Sequence, residues 1–505
     1  MRPTTRTTAP ILRCRSAVNS QADYRNAVSR MTKTRTERVD DCLSIRSGKL
    51  LFERCDATEL ARRFGTPIYV LSEDQLRRNV RRFAHAFHQK WPEAPVHILP
   101  SIKANFTLAL LRILADEGTG CDTFGLGELS AALRAGISPG LISVNGSVKT
   151  PALIEQALTA GARITLDSAA ELAVVREVAQ SLGVRAKVRF RLRPRYEALD
   201  RSSDFYDDDT PIRVAAQQYK AGIPTEDLRR MGPEALAAPE LDVSGVMVHL
   251  GRHSGDLDVW RGMVQSFVAL LGDLSKSWGG WEPREIDLGG GFPSRRDPTG
   301  RTTRRGRRRP PEEKAPSIED YAAVLTETLR AELPRHGMSA AGKTLEVEPG
   351  RSLFADAGIH LTTVRGVKTQ SELPARTWIE TDTTEMFLLD TLVEHNRWTP
   401  IVTNKADLQA SQTVDIVGIS CGFDVIVDQT ALPDVEVGDV LAFLDTGAYQ
   451  DACANNFNAL PRPGVLLVHG ADAEIVKRPE TIEDVFRRDT IPVRLGRVAP
   501  SEVSR

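Results

Sequence analysis

The chain has 505 residues, 41% of them hydrophobic, which is more than one ordinary core accommodates and predicts two domains. Its 66 basic and 67 acidic side chains leave a formal charge of −1, so there is no bulk attraction to nucleic acid, and no apolar run is long enough to span a membrane. Six cysteines (Cys14, Cys42, Cys55, Cys121, Cys421 and Cys453) form no C-x-x-C pair, a usage that fits reduced, cytoplasmic thiols better than a disulfide scaffold.

Residues 1–42 are rich in Arg, Ser and Thr, with no acid before Asp23. They read as a disordered tail or an over-called start, with an acid-poor transit peptide as the alternative. Strands are expected within 43–66, joining a β-rich domain, and 67–71 reads as a strand leading into a helix over 73–89. Strand-like runs then recur at 96–102, 121–124, 141–145, 163–167, 187–192, 243–250, 285–288 and 344–347, most of them separated by helical runs. Eight such units predict an α/β fold, a closed (β/α)8 barrel of the TIM type over 67–364. A doubly wound open sheet is the runner-up, disfavoured because no strand ends in a G-x-G-x-x-G or a P-loop. The polar segment 197–219, with Asp204, reads as a rim loop, and the Arg-rich stretch 295–315 as an exposed basic insertion. Beyond Val364 the helices thin out and period-2 runs such as 414–417 and 440–444 predict a second, β-rich domain over 365–500.

Chemistry concentrates at the ends of the predicted barrel strands. Ser101-Ile102-Lys103-Ala104-Asn105 follows the first of them, which puts Lys103 at the catalytic rim. A lysine desolvated there loses its proton more readily and can form a Schiff base with an aldehyde cofactor. Gly289, Gly290 and Gly291 follow another strand, and their N–H groups can form a nest for a phosphate; a tight turn without a ligand is the alternative. Glu348 and Arg351 follow a third, offering a carboxylate for a protonated ring nitrogen and a guanidinium for a phosphate. His249 ends the strand 243–250 as a flat ring able to stack on a flat cofactor. Asp122 and Glu128 can support a cation or simply cap a helix. The nine histidines form no H-E-x-x-H, and no metal is expected.

Taken together and in this order, these stretches resemble the fold-type III pyridoxal-phosphate decarboxylases, the group of diaminopimelate, ornithine and biosynthetic arginine decarboxylases, over residues 45–470. The resemblance implies an alanine-racemase-like barrel with a β domain, pyridoxal 5'-phosphate (PLP) as cofactor, an amino-acid substrate and a homodimer. Lys103 matches the family's Schiff-base lysine; Asp122, Glu128 and Arg191 match residues on the cofactor side. By the same resemblance His249 stacks on the ring, the glycine triplet and Tyr449 reach the phosphate, Glu348 meets the ring nitrogen, and Arg351 meets the phosphate or the substrate. Cys421 matches the catalytic cysteine that protonates the product carbon across the dimer interface, and Phe457 lies in a further family stretch.

The departures fall on the substrate side. Relatives carry Glu or Asp after the cysteine to bind the substrate's far amine, and here that position is Gly422. Arg252 replaces a phosphate-binding serine, and with His253 it can meet an anionic substrate end. Around Asp382 to Asp390 no arginine matches the one that diaminopimelate decarboxylases carry. The expected activity is therefore PLP-dependent α-decarboxylation of a non-standard or conjugated amino acid. A racemase on the same barrel and a non-catalytic binding paralogue are the alternatives.

Overall fold

All eight predicted barrel strands are present in a computed structural model of the chain, which describes residues 37–200, 202–203, 207–251, 255–294, 296, 315–394, 396 and 398–495. They are β1 (Val96–Ile98), β2 (Cys121–Thr123), β3 (Ile142–Val144), β4 (Arg163–Leu166), β5 (Ala186–Arg191), β6 (Leu241–Met247), β7 (Glu285–Asp287) and β8 (Thr344–Val347). All pair in parallel in the order β1-β8-β7-β6-β5-β4-β3-β2. A parallel bridge between Ser101 and Asp122 joins β1 to β2 and closes the ring. Helices follow most strands and present Leu, Ile, Val and Ala to the barrel wall, as in Leu108–Asp116, where Leu110, Leu111, Ile113 and Leu114 are buried.

The barrel interior is charged. Arg163 donates to Glu285 at 2.8 Å and to Glu346 at 2.7 Å, and Arg189 to Glu346 at 2.5 Å and Ser143 at 2.6 Å. These side chains alternate along their strands with apolar ones that face the helices, so one strand serves both layers. Buried ions at this density persist only because each is paired and hydrogen-bonded.

The second domain is a nine-stranded mixed sheet built on the long strand Gly358–Gln370. On one side lie Arg376–Thr381, Gln412–Val417 and Val425–Leu432; on the other lie Ile68–Ser72, Gly464–His469 and Asp472–Lys477. Val440–Leu444 pairs with the long strand and with Pro400–Val402.

Two expectations about boundaries are corrected. Ile68–Ser72, expected to open the barrel, pairs with Gly358–Gln370 and Gly464–His469 in the second sheet. Its five residues are all buried, with Tyr69 and Leu71 in the barrel core and Ile68 and Val70 in the second core. A short apolar run ahead of a helix looks the same in either setting, which is why its neighbours could not be read. The long strand likewise starts at Gly358, so 358–364 belongs to the second sheet and not to the barrel. The strands within 43–66 pack on the second domain without pairing into its sheet. With Glu37–Arg38 they form a separate four-stranded antiparallel sheet that packs Leu43, Leu50 and Phe52 onto Ile359 and Leu444. Residues 1–36, most of the insertion at 295–315, and Asp204 lie outside the described residues. Among the described residues no helix is long and apolar enough to cross a membrane.

Candidate active site

Lys103 lies in the 3-10 turn Ile102–Ala104 directly after β1. Ser101 still belongs to the barrel, while Asn105 has returned to extended backbone and its Nδ2 donates to Gly447 O at 3.0 Å. Asn105 Oδ1 accepts the Thr107 N–H at 3.1 Å, so the loop is tied at its far end as well. The lysine is exposed to the open mouth of the barrel, with its Nζ 4.8 Å from the Phe124 ring centroid. The expected fall in its pKa is corrected. Enclosure by the walls pulls the value down, but Asp122, Tyr449 and Glu348 act the other way and leave it above the ordinary lysine value.

Those acids share one bridge. Asn145 Nδ2 lies 2.6 Å from Asp122 Oδ1 and 2.5 Å from Glu348 Oε1, and Ser101 Oγ donates to Asp122 Oδ2 at 2.7 Å. Arg189 lies behind them, 2.5 Å from Asp287 and 3.5 Å from Glu348. Burial, then Asp122 and Asp287, holds the Glu348 carboxyl well above its usual range. Burial also raises Asp122, against the pull of Lys103. The pocket is therefore short of positive charge at Glu348, and a cation placed there lets that carboxyl ionise.

The glycine triplet follows β7, two strands from the Lys103 loop. Gly289 has φ +71°, and a Cβ there would stand 2.8 Å from Val248 O and 3.0 Å from His249 Nδ1. A Cβ on Gly290 would run into the Glu348 carbonyl, and Gly291 has φ +100°. Side chains are thus excluded where the ends of β6, β7 and β8 converge, leaving backbone to line the cavity. His249 is half-buried beside Gly289. Gly350 leaves room for the Tyr449 hydroxyl, which lies 3.1 Å from its Cβ position, and the Arg351 guanidinium stacks 4.7 Å from the Tyr449 ring centroid. Arg351 Nη1 also donates to Asp390 Oδ2 at 2.5 Å, with both residues buried.

Arg191 and Glu128 sit one step back. Arg191 is buried with Nε 3.8 Å from Asp167 Oδ1 and leaves Nη1 without a hydrogen-bond partner. Glu128 accepts the N–H of Phe124 at 2.6 Å and so fixes the residue whose ring faces Lys103. An orphaned buried N–H, a carboxyl awaiting a cation, a glycine-lined backbone and a lysine amine together suit a phosphorylated pyridine aldehyde.

Other expected residues are not gathered here. Cys421 lies on an exposed loop of the second domain, where its N–H donates to Asn458 Oδ1 at 2.9 Å and Asn458 Nδ2 reaches Sγ at 3.3 Å. Gly422 and Phe457 are exposed on the same surface. Arg252 and His253 lie outside the described residues. Asn145, Arg189, Asp287 and Asp390 were not anticipated. For the first three a signal existed, because polar residues at alternate positions of otherwise apolar strands mark an inward face.

Residues 73–355 match the family profile described as "Pyridoxal-dependent decarboxylase, pyridoxal binding domain". Among curated proteins, the diaminopimelate decarboxylase of Methanocaldococcus jannaschii is 30% identical over 470 residues, covering 90% of this chain and 98% of that protein. That of Archaeoglobus fulgidus is 28% identical over 450 residues, covering 89% and 99%. Among solved structures, the M. jannaschii enzyme superposes with a TM-score of 0.80 at 28% identity over 90% of this chain and 99% of that one. The Helicobacter pylori diaminopimelate decarboxylase, complexed with L-lysine, gives 0.71 at 25% identity over 85% and 98%. With the profile spanning more than half the chain and the barrel and second sheet in place, the chain belongs to the pyridoxal-dependent decarboxylases, carboxy-lyases that use PLP.

Proposed function

We propose that this protein removes the α-carboxyl group of an amino acid whose far end differs from that of diaminopimelate, a non-standard or conjugated amino acid. The observation that carries the substrate reading is the buried Arg351–Asp390 pair. A second carboxylate on the substrate needs a cation, and the guanidinium beside Tyr449 already has an acid partner. Gly422 adds no side chain for a far amine.

When bound, PLP supplies an electron sink for the pair left behind as carbon dioxide departs. The chain's own residues do the rest. Lys103 Nζ provides the attachment point, and Asp122, held by Ser101, keeps positive charge stable beside it. Glu348, oriented by Asn145 and held above the usual carboxylate range by burial, would pair with the cofactor's ring nitrogen. Gly289, Gly290, Gly291 and Tyr449 would hold the cofactor's phosphate, and His249, beside Gly289, would cover its ring. In this reading Cys421, exposed on its loop, delivers the final proton from a second copy of the chain.

The test is purification with PLP and assay of carbon dioxide release from L-amino acids, diaminopimelate and amino-acid conjugates. Release from one conjugate or non-standard amino acid, abolished with the cofactor's visible absorbance in Lys103→Ala, supports the reading. Fastest release from diaminopimelate overturns the substrate assignment. Loss of optical rotation without carbon dioxide makes the protein a racemase.

A further inference from the structure

Behind the Lys103 loop lies a second cavity, of about 640 Å3, between the strand Asp472–Lys477, the C-terminal helix Ile482–Phe486 and the segment 451–456. Its volume falls within the roughly 300–1,000 Å3 of small-molecule sites. None of Lys103, His249, Glu348, Arg351 or Tyr449 lines it. Its wall mixes basic side chains with acidic ones. Lys477, Arg462 and Arg478 are there, each held by an acid: Lys477 to Asp451 at 2.5 Å, Arg462 Nε to Glu480 at 2.9 Å, and Arg478 Nη2 to Asp484 at 2.8 Å.

Arg487 and Arg488 differ from these three. They are consecutive, they line the same cavity, and neither has a carboxylate partner among the described residues. The three acids of the wall are already engaged, so the cavity carries two uncompensated guanidinium groups. Both side chains are exposed and line the one cavity, where guanidinium forks suit the several oxygens of a phosphate group. Phe106, 39% exposed, adds an apolar ring to the wall, with Pro463 and Val485 also lining it. Charge and apolar surface in one cavity describe a ligand of two parts.

We propose that this cavity binds a phosphomonoester, with its phosphate on Arg487 and Arg488 and a flat or apolar body against Phe106. The site is separate from the Lys103 centre but shares a wall with it. Asp451, which holds Lys477, also accepts from Thr107 Oγ1 at 3.3 Å, at the start of the helix that follows the Lys103 loop.

Isothermal titration of the PLP-loaded enzyme with phenyl phosphate and with inorganic phosphate tests this, because the cofactor already fills the Lys103 centre. Phenyl phosphate is expected to bind more tightly than inorganic phosphate. The double variant R487Q/R488Q is expected to weaken phenyl phosphate by about tenfold or more, with carbon dioxide release in its absence unchanged. Phe106→Ala is expected to erase the advantage of phenyl phosphate over inorganic phosphate. No heat of binding in the wild type overturns the proposal. So does a titration that R487Q/R488Q leaves unchanged, and so does one that disappears only in R351Q, which would place the anion at the Lys103 centre. The binding readout needs no substrate, so its failure is distinct from failure of the decarboxylase reading.

Discussion

Asp390 is the residue through which the substrate can be interrogated most directly. It is buried, it takes the Arg351 guanidinium at 2.5 Å, and Arg351 stacks on Tyr449 beside the Lys103 loop. In Asp390→Asn the guanidinium keeps its place but loses the Asp390 charge, which favours a carboxylate on the substrate beside it. The KM for diaminopimelate is expected to fall by about tenfold, the worth of one charge-assisted hydrogen bond. The KM for lysine, which lacks the second carboxylate, is expected to stay put or rise. Parallel changes for both substrates would make Asp390 a structural brace and nothing more. Steady-state carbon dioxide release from the two compounds, wild type against variant, decides it.

At the level of elements, the site depends on strand ends brought closer than side chains allow. Glu348 N donates to Gly289 O at 2.9 Å, and a methyl group on Gly290 would collide with the Glu348 carbonyl. Gly290→Ala therefore has to part the ends of β7 and β8, which moves Glu348 relative to Lys103. Carbon dioxide release is expected to fall about a hundredfold, the usual cost of misplacement by an ångström, with the far-UV circular dichroism unchanged. This part of the site was legible in the sequence, because glycines and charged residues seldom end an apolar run unless a site or a tight turn requires them there. What was not legible is the barrel interior. Arg163, Arg189 and Glu346 lie in runs that read as strands, but which cation meets which acid depends on the order in which strands close, and no local pattern carries that order. The sheet to which Ile68–Ser72 belongs was hidden for the same reason, since its partners Gly358–Gln370 and Gly464–His469 lie hundreds of residues away.

A second element-scale junction joins the turn after the helix Arg351–Phe354 to three other segments. Asp356 accepts from Asn79 at 2.7 Å, and Arg296 pairs with both Asp40 and Asp445. Burial, then Asp445, pushes the Asp356 carboxyl up to about 7. An acid raised in the folded state holds its proton there after the unfolded chain has released it. Stability is thus greatest below the ordinary aspartate range and is lost as pH rises toward about 7, beyond which the loss is complete. The full shift corresponds to about 4 kcal/mol, reduced by the partial exposure of the side chain. Asp356→Asn is expected to melt at the wild-type temperature at pH 4 and a few degrees above it at pH 8, as measured by calorimetry at the two pH values. An equal offset at both would remove ionisation as the cause.

On the scale of the whole molecule, the lysine and the cysteine proposed for the reaction sit on different domains. Lys103 looks into the barrel mouth, while the Cys421 loop is exposed beside Phe423, 98% exposed, and Ile419, 54% exposed. Phe457 adds to this surface, and apolar side chains so placed are the ordinary material of an interface between copies. A two-fold dimer that sets the Cys421 surface of each copy over the Lys103 mouth of the other completes two sites at once. Each site then takes its lysine from one chain and its cysteine from its partner. Lys103→Ala and Cys421→Ala are each expected to lack full activity alone. Mixed in equal amounts and allowed to exchange, half the dimers carry one copy of each variant, and each mixed dimer has one site with both residues intact. Activity is expected to recover to about a quarter of the wild type. If both residues act within one chain, no exchange of subunits can rebuild a site, and the mixture stays at the average of the two variants. Carbon dioxide release before and after exchange, with the exchanged species separated by a tag on one variant, separates the two architectures.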